Sequence, residues 1–182
     1  MRPYTRGSGK AALETGCKLK IEWVVSAGVM TEEVLFTRAG SVAEVIERLA
    51  QAASTSIHAA LYRLNHPRLA RLLEDAFGRG VEVRLVLDRL KYDTTRATRE
   101  LLSNSRIPFR LLHGRQGPRS KMHHKFAILD GRIVLTGSYN WTLESEEQNF
   151  EDLVILRDPQ SVANYSREFG ALWAEAVGRG EP

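Results

Sequence analysis

Cysteine is almost missing from these 182 residues. Cys17 stands alone, so neither an intrachain disulfide nor a cysteine-built zinc site is possible. Long hydrophobic runs are missing as well. The longest uncharged stretch, Leu49 to Tyr62, has 14 residues and includes Gln, Ser, Thr and His. A bilayer needs about 20 apolar residues, so no integral membrane segment is expected. Arg2, Arg6 and Lys10 are followed by no apolar core before Glu14, which argues against a secretory leader. The expected compartment is therefore cytoplasmic, although a cysteine-poor chain would also survive in a periplasm. Hydrophobic residues at 43% and charged residues at 26% exclude disorder, collagen and coiled coil as the main class. The length suits one globular domain with a single core.

A net charge of +4 says little about partners, but its distribution says more. Between Arg84 and Lys121 there are ten Lys or Arg against three acids, whereas Glu144 to Asp152 holds five acids and no base. The basic stretch runs directly into the most histidine-rich part of the chain. Any one of these charges is accounted for by a solvated face.

Patterning alternates strand and helix. Glu33 to Arg38 reads as a strand. Ser41 and Glu44 form a capping-box pair ahead of a helix with Val42, Val45, Ile46 and Leu49 on one stripe. Ser56 to Leu61 is a short buried strand. Asn65 is placed to cap the next helix, with Pro67 in its first turn and Leu69, Leu72, Leu73, Ala76 and Phe77 inward. Val81 to Leu87 is the clearest strand, Thr94 to Ser103 an exposed basic helix, and Ile107 to Leu112 another strand. His113 to Arg119 has the Gly and Pro content of a loop. Met122 to Leu129 and Ile133 to Thr136 form a hairpin across Asp130-Gly131. Leu153 to Leu156 and a helix over Pro159 to Val177 close the chain. This order predicts an α/β fold with one mixed sheet and helices on both faces. Residues 31–178 would form the domain, and 1–30 a loosely patterned extension, in which Trp23 to Met30 could be a short strand or anchor.

The chemistry concentrates in His123-His124-Lys125 and Gly137-Ser138-Tyr139-Asn140, spaced as H-x-K-x4-D-x6-G-S-x-N with Asp130 as the acid. On a strand, His123 and Lys125 share a face while His124 points away. An imidazole beside an ammonium is costly to bury, and each raises the cost of protonating the other, so the pair suits a place where an anion sits. Ser138 and Asn140, at the end of the neighbouring strand, can converge on that spot. Six residues at fixed spacing arise by chance in roughly one sequence of this length per several hundred thousand, which sets aside an ordinary polar hairpin.

The run resembles the HKD motif of the phospholipase D superfamily, above all its short single-motif members: the bacterial Nuc-type endonucleases and the mitochondrial cardiolipin hydrolase (Zucchini) group. Met122 to Ile128 and Thr136 to Thr142 are most similar to the latter, and Asn149-Phe150-Glu151 matches the downstream Asn-x-Glu. The resemblance implies a phospholipase D-like fold and two displacements at phosphorus through a phosphohistidine on His123. It implies that Lys125 and Asn140 donate to the phosphoryl oxygens and that Glu151 accepts from Nδ1 of His123. Ser138 would support that network, and Asp130, at a strand end, would be structural or supporting rather than in contact with phosphate. No cofactor and no metal is implied. Because a second histidine is needed and the chain carries one motif, a homodimer sharing its active site is expected.

Other residues have plainer readings. His124 packs on the opposite face, His58 is a core histidine, His66 starts a helix, and Trp141 packs behind Asn140. Arg115, Arg119 and Lys121, with His113 at the cleft edge, are candidates for substrate binding. Three functions follow. A metal-independent nuclease acting on single-stranded DNA or RNA fits the basic stretch. A phospholipase D or cardiolipin hydrolase acting on phospholipid would want an apolar rim or an anchor. A non-catalytic nucleic-acid-binding module would leave a complete site idle.

Overall fold

The computed structural model describes residues 32–178. The extension predicted over residues 1–30, with its Trp23 to Met30 segment, lies outside them. Among the described residues, nine strands form one mixed sheet. At its centre β2 (Ser56–Leu61), β3 (Glu82–Asp88) and β4 (Phe109–Gly114) run parallel. They are joined through α2 (Pro67–Gly78) and through α3 (Arg89–Thr94) with α4 (Arg96–Ser103). On one side of β2 the sheet continues antiparallel through β6 (Lys125–Leu129), β7 (Ile133–Thr136), β8 (Asp152–Leu156) and β1 (Glu32–Phe36). On the other side, β5 (Gly117–Lys121) and the two-residue β9 (Val177–Gly178) pair with β4.

Period-two alternation sends the two side-chain sets of this sheet to different cores. Ile57, Ala59 and Leu61 of β2 join Val83, Leu85, Leu87, Ala127 and Ile155 under α1 (Val42–Gln51), α2 and Leu102 of α4. Ala60, Val86, Phe126, Ile128 and Val134 face the other way, onto Val162 and Phe169 of α6 (Pro159–Glu175). Helices therefore cover both faces, as the alternation of elements predicts. Asp130 and Gly131 both take positive φ, the geometry that a two-residue turn matched to strand twist requires.

Four local expectations need correction. Asn65 does not cap α2. Its carboxamide is engaged by Leu143 N and Glu144, and His66 occupies the cap position without a side-chain bond. Ser41 caps α1 by accepting from Glu44 N at 3.1 Å, but its hydroxyl then donates at 2.5 Å to Glu146 rather than pairing reciprocally with Glu44. Residues 113–119 are not a loop, because β4 runs to Gly114 and turns into β5. The strand read from Met122 begins only at Lys125, since Met122 N is drawn to Asp88 instead of a ladder partner. The acidic run contains a further short helix, α5 (Leu143–Glu147), capped by Thr142.

Candidate active site

Apart from Asp130, the motif residues gather at one end of the sheet. This is the end where parallel strands β2, β3 and β4 finish, the usual place for a ligand crevice in such sheets. Tyr62 follows β2, Asp88 ends β3, His113 lies near the end of β4, Lys125 opens β6, and Gly137-Ser138 follows β7. Backbone bonds hold these ends together: Tyr62 N donates to His124 O at 2.8 Å, while Asn65 N and His66 N both donate to Trp141 O.

His123 is exposed, and its ring lies against Tyr62 with centroids 4.3 Å apart. Lys125, the first residue of β6, reaches back to it. Its Nζ donates to His123 O at 2.9 Å and stands 3.2 Å from Nδ1 and 3.4 Å from Nε2. Partial burial lowers the His123 pKa, and the charges of Lys125 and then Lys121 lower it further. Burial also lowers the Lys125 pKa, with Glu151 acting against the shift. The result favours a neutral, nucleophilic imidazole next to a cation. His124 points away to Glu168 of α6, 3.2 Å distant, as expected for the opposite face.

Gly137 is required by close approach. A Cβ there would meet Asp152 O at 2.4 Å, and φ is +146°. This contact lets Ser138 grip two consecutive residues: its hydroxyl donates to Glu151 Oε2 at 2.5 Å and accepts from Asp152 N at 3.0 Å. Glu151 also accepts from Ser145 Oγ and Asn149 Nδ2. The direct Glu151 to His123 bond implied by the family resemblance is thus not made within the chain, because these three donors satisfy the carboxylate. Asn140 Oδ1 is buried without a partner among the described residues. Asp130 lies at the far end of β6 from Lys125. Its carboxylate accepts from the amides of Ser54, Thr55 and Ser56 and from Thr55 Oγ1, which holds it ionised far below the usual carboxylate range. Asp130 thereby fastens the turn after β6 to the segment that opens β2.

Of the substrate-binding candidates, His113, Arg115 and Lys121 line a cleft of about 350 Å³ that also includes His123 and His124. Arg119 is exposed on β5 and is not among the residues lining it. A larger recess of about 570 Å³ opens on the other side of Glu151, between Phe36, Arg38 and Phe150. Phe150 is 79% exposed there, with the Arg38 guanidinium 4.4 Å from its ring centroid. Among the described residues no three His, Cys, Asp or Glu side chains gather as a metal site.

Sequence reasoning missed Tyr62 and Asp88. Tyr62 ends an apolar run that reads only as core, and Asp88 has no spacing relation to the motif.

A family model described as "Cardiolipin synthase, PLD-like domain" matches residues 45–173. The chain belongs to the phospholipase D superfamily. Human mitochondrial cardiolipin hydrolase is 36% identical over 124 residues, covering 68% of this chain and 48% of that protein. The hydrolase of Xenopus tropicalis is 34% identical over 123 residues, covering 68% and 57%. This phospholipase D-like chain thus spans about half the length of the curated relatives it matches. Among solved structures, the phospholipase D family member Nuc from Salmonella typhimurium superposes with a TM-score of 0.73 at 28% identity, covering 81% of this chain and 96% of that one. NucT from Helicobacter pylori shares the fold, with a TM-score of 0.70 at 22% identity over 81% and 98% of the two chains. No helix among the described residues is long and apolar enough to cross a membrane.

Proposed function

We propose that this protein is a metal-independent phosphodiesterase that cleaves single-stranded DNA or RNA, working as a homodimer with one shared active site. The observation that carries the reading is the His123–Lys125 pair: an exposed imidazole biased toward its neutral form, with an ammonium 3.2 Å away and, among the described residues, no acid in ion-pair contact with either. An unprotonated ring nitrogen of His123 attacks phosphorus. The P–O bond to the leaving group breaks, and that oxygen takes a proton from His123 of the partner subunit. Water then adds to phosphorus, giving its proton to that second imidazole, and the P–N electron pair returns to His123. Lys125 and Asn140 stabilise the charge that builds on the phosphoryl oxygens. Ser138 and Glu151 hold the end of β7 against β8 beside them.

Nucleic acid is favoured by the basic surface leading into the site and by a match that covers nearly all of Salmonella Nuc. A specific observation favours a second reading, a phospholipid substrate. Val34, Phe36 and Phe150 are 55%, 56% and 79% exposed, and Phe36 and Phe150 line the recess beside Glu151. That is the apolar rim a lipase would use, unless a second copy of the chain covers it.

The test is to incubate protein with labelled single-stranded DNA, single-stranded RNA and cardiolipin vesicles, each with EDTA, alongside His123→Ala. Nucleic-acid cleavage should survive EDTA and fall by about a thousandfold or more in the variant. Release of phosphatidic acid without strand cleavage would select the lipid reading. Tight DNA binding with no turnover would leave only a binding module.

A further inference from the structure

Three lysines from different elements converge on one aromatic ring. The Nζ atoms of Lys91, Lys121 and Lys125 stand 5.6, 5.9 and 5.1 Å from the centroid of Tyr62, whose ring also packs on His123. Lys125 is committed to His123. Lys91, from α3, and Lys121, from the end of β5, have no ion-pair partner among the described residues. One structural acid, Asp88, whose charge also bears on His123, is set against these three ammonium groups. Asp88 is fully buried, and its two oxygens are taken by backbone amides, Lys91 N at 2.8 Å and Met122 N at 2.9 Å. One carboxylate therefore fixes the limb carrying Lys91 and the limb carrying Lys121 and His123 in relation to each other. Like charges held together in this way repel unless an anion lies between them.

We propose that Lys91 and Lys121, over Tyr62, form a second anion subsite that binds the phosphate neighbouring the scissile one in a polynucleotide strand. The assignment rests on the nuclease reading above. A single strand carries one phosphate per nucleotide, so a diester held at His123 brings further phosphates toward the cations gathered around Tyr62. A diester with no neighbouring phosphate leaves the subsite empty. Asp88 acts as a positioning residue for both cations.

The test compares kcat/KM on a ten-nucleotide single-stranded DNA with that on bis(4-nitrophenyl) phosphate, which has one phosphate. Lys91→Gln should lower the first by about tenfold or more, the loss of one charge-assisted contact, and the second far less. Lys91→Arg should retain most of the activity on DNA. In a His123→Ala background, where nothing is cleaved, Lys91→Gln should reduce the slope of log Kd against log salt for the same DNA by about 0.7. Equal losses on both substrates, or an unchanged salt slope, would overturn the subsite. Wild-type protein that hydrolyses bis(4-nitrophenyl) phosphate or cardiolipin but neither single-stranded DNA nor single-stranded RNA would overturn the nuclease reading itself, before any variant is compared.

Discussion

Lys125 acts on His123 both as a hydrogen-bond donor and as a charge. A donating ammonium is accepted only by an unprotonated ring nitrogen, and its charge opposes protonation of the ring. The His123 pKa therefore falls below the ordinary value of about 6.5, so the neutral nucleophile persists to lower pH than it would in an unperturbed histidine. The acid limb of the kcat/KM profile should accordingly lie below 6.5. Lys121→Ala removes one of the lowering charges and should move that limb upward. The move should be partial, because burial is the larger cause. An NMR titration of the His123 Cε1 proton checks it, and a downward move would contradict the electrostatic account. The orphaned Oδ1 of Asn140 belongs to the same scale: it is a buried amide oxygen with no donor among the described residues, a polar group left uncompensated beside the motif.

Between elements, much of the organisation comes from acids that bridge segments distant in sequence. Asp88 ties β3 to the segment ahead of β6. Removing it leaves one buried and one partly buried amide without an acceptor, so Asp88→Ala should cost about 3 kcal/mol in urea unfolding, and Asp88→Asn less. The main frame was legible in the sequence: the β2-α2-β3 unit, the β6–β7 hairpin and the closing helix all follow from periodicity and turn chemistry. His123, Lys125 and Ser138 could be singled out as candidates from motif spacing, but His123 lies ahead of β6, so strand alternation does not set its direction. What was not legible depends on long-range partners. Five acids from Glu144 to Asp152 look like a solvated patch. Instead Glu144 binds Arg63 and Asn65, Glu146 takes Ser41 and Tyr139, and Glu151 takes Ser138. A cap signal was present in Thr142 followed by acids, which suits the first turn of a helix. The β4–β5 hairpin was hidden because its residues, Gly117-Pro118-Arg119, have turn composition rather than strand composition.

At the scale of the whole molecule, the sheet edge at β1 presents exposed apolar side chains. Val34 and Phe36 alternate outward on this strand, and α6 packs over β2, β4, β6 and β7 instead. A homodimer that shares its site would bring a second copy to this region, since Glu151 belongs both to the recess and to the catalytic cluster. Sedimentation should give twice the 20.5 kDa chain mass. Phe150→Asp should shift it toward the single chain and abolish turnover, because burying a phenylalanine contributes about 1.5–3 kcal/mol per copy. A fully active single chain would refute the shared site.

The direction of β1 has a practical consequence. Glu32 pairs with Leu156 and Phe36 with Asp152, so the chain enters the sheet at the pole opposite His123. A bead, a sensor surface or a fused module joined directly ahead of Glu32 would grip the molecule from behind and leave the cleft unobstructed. Immobilisation should therefore be attempted from that side.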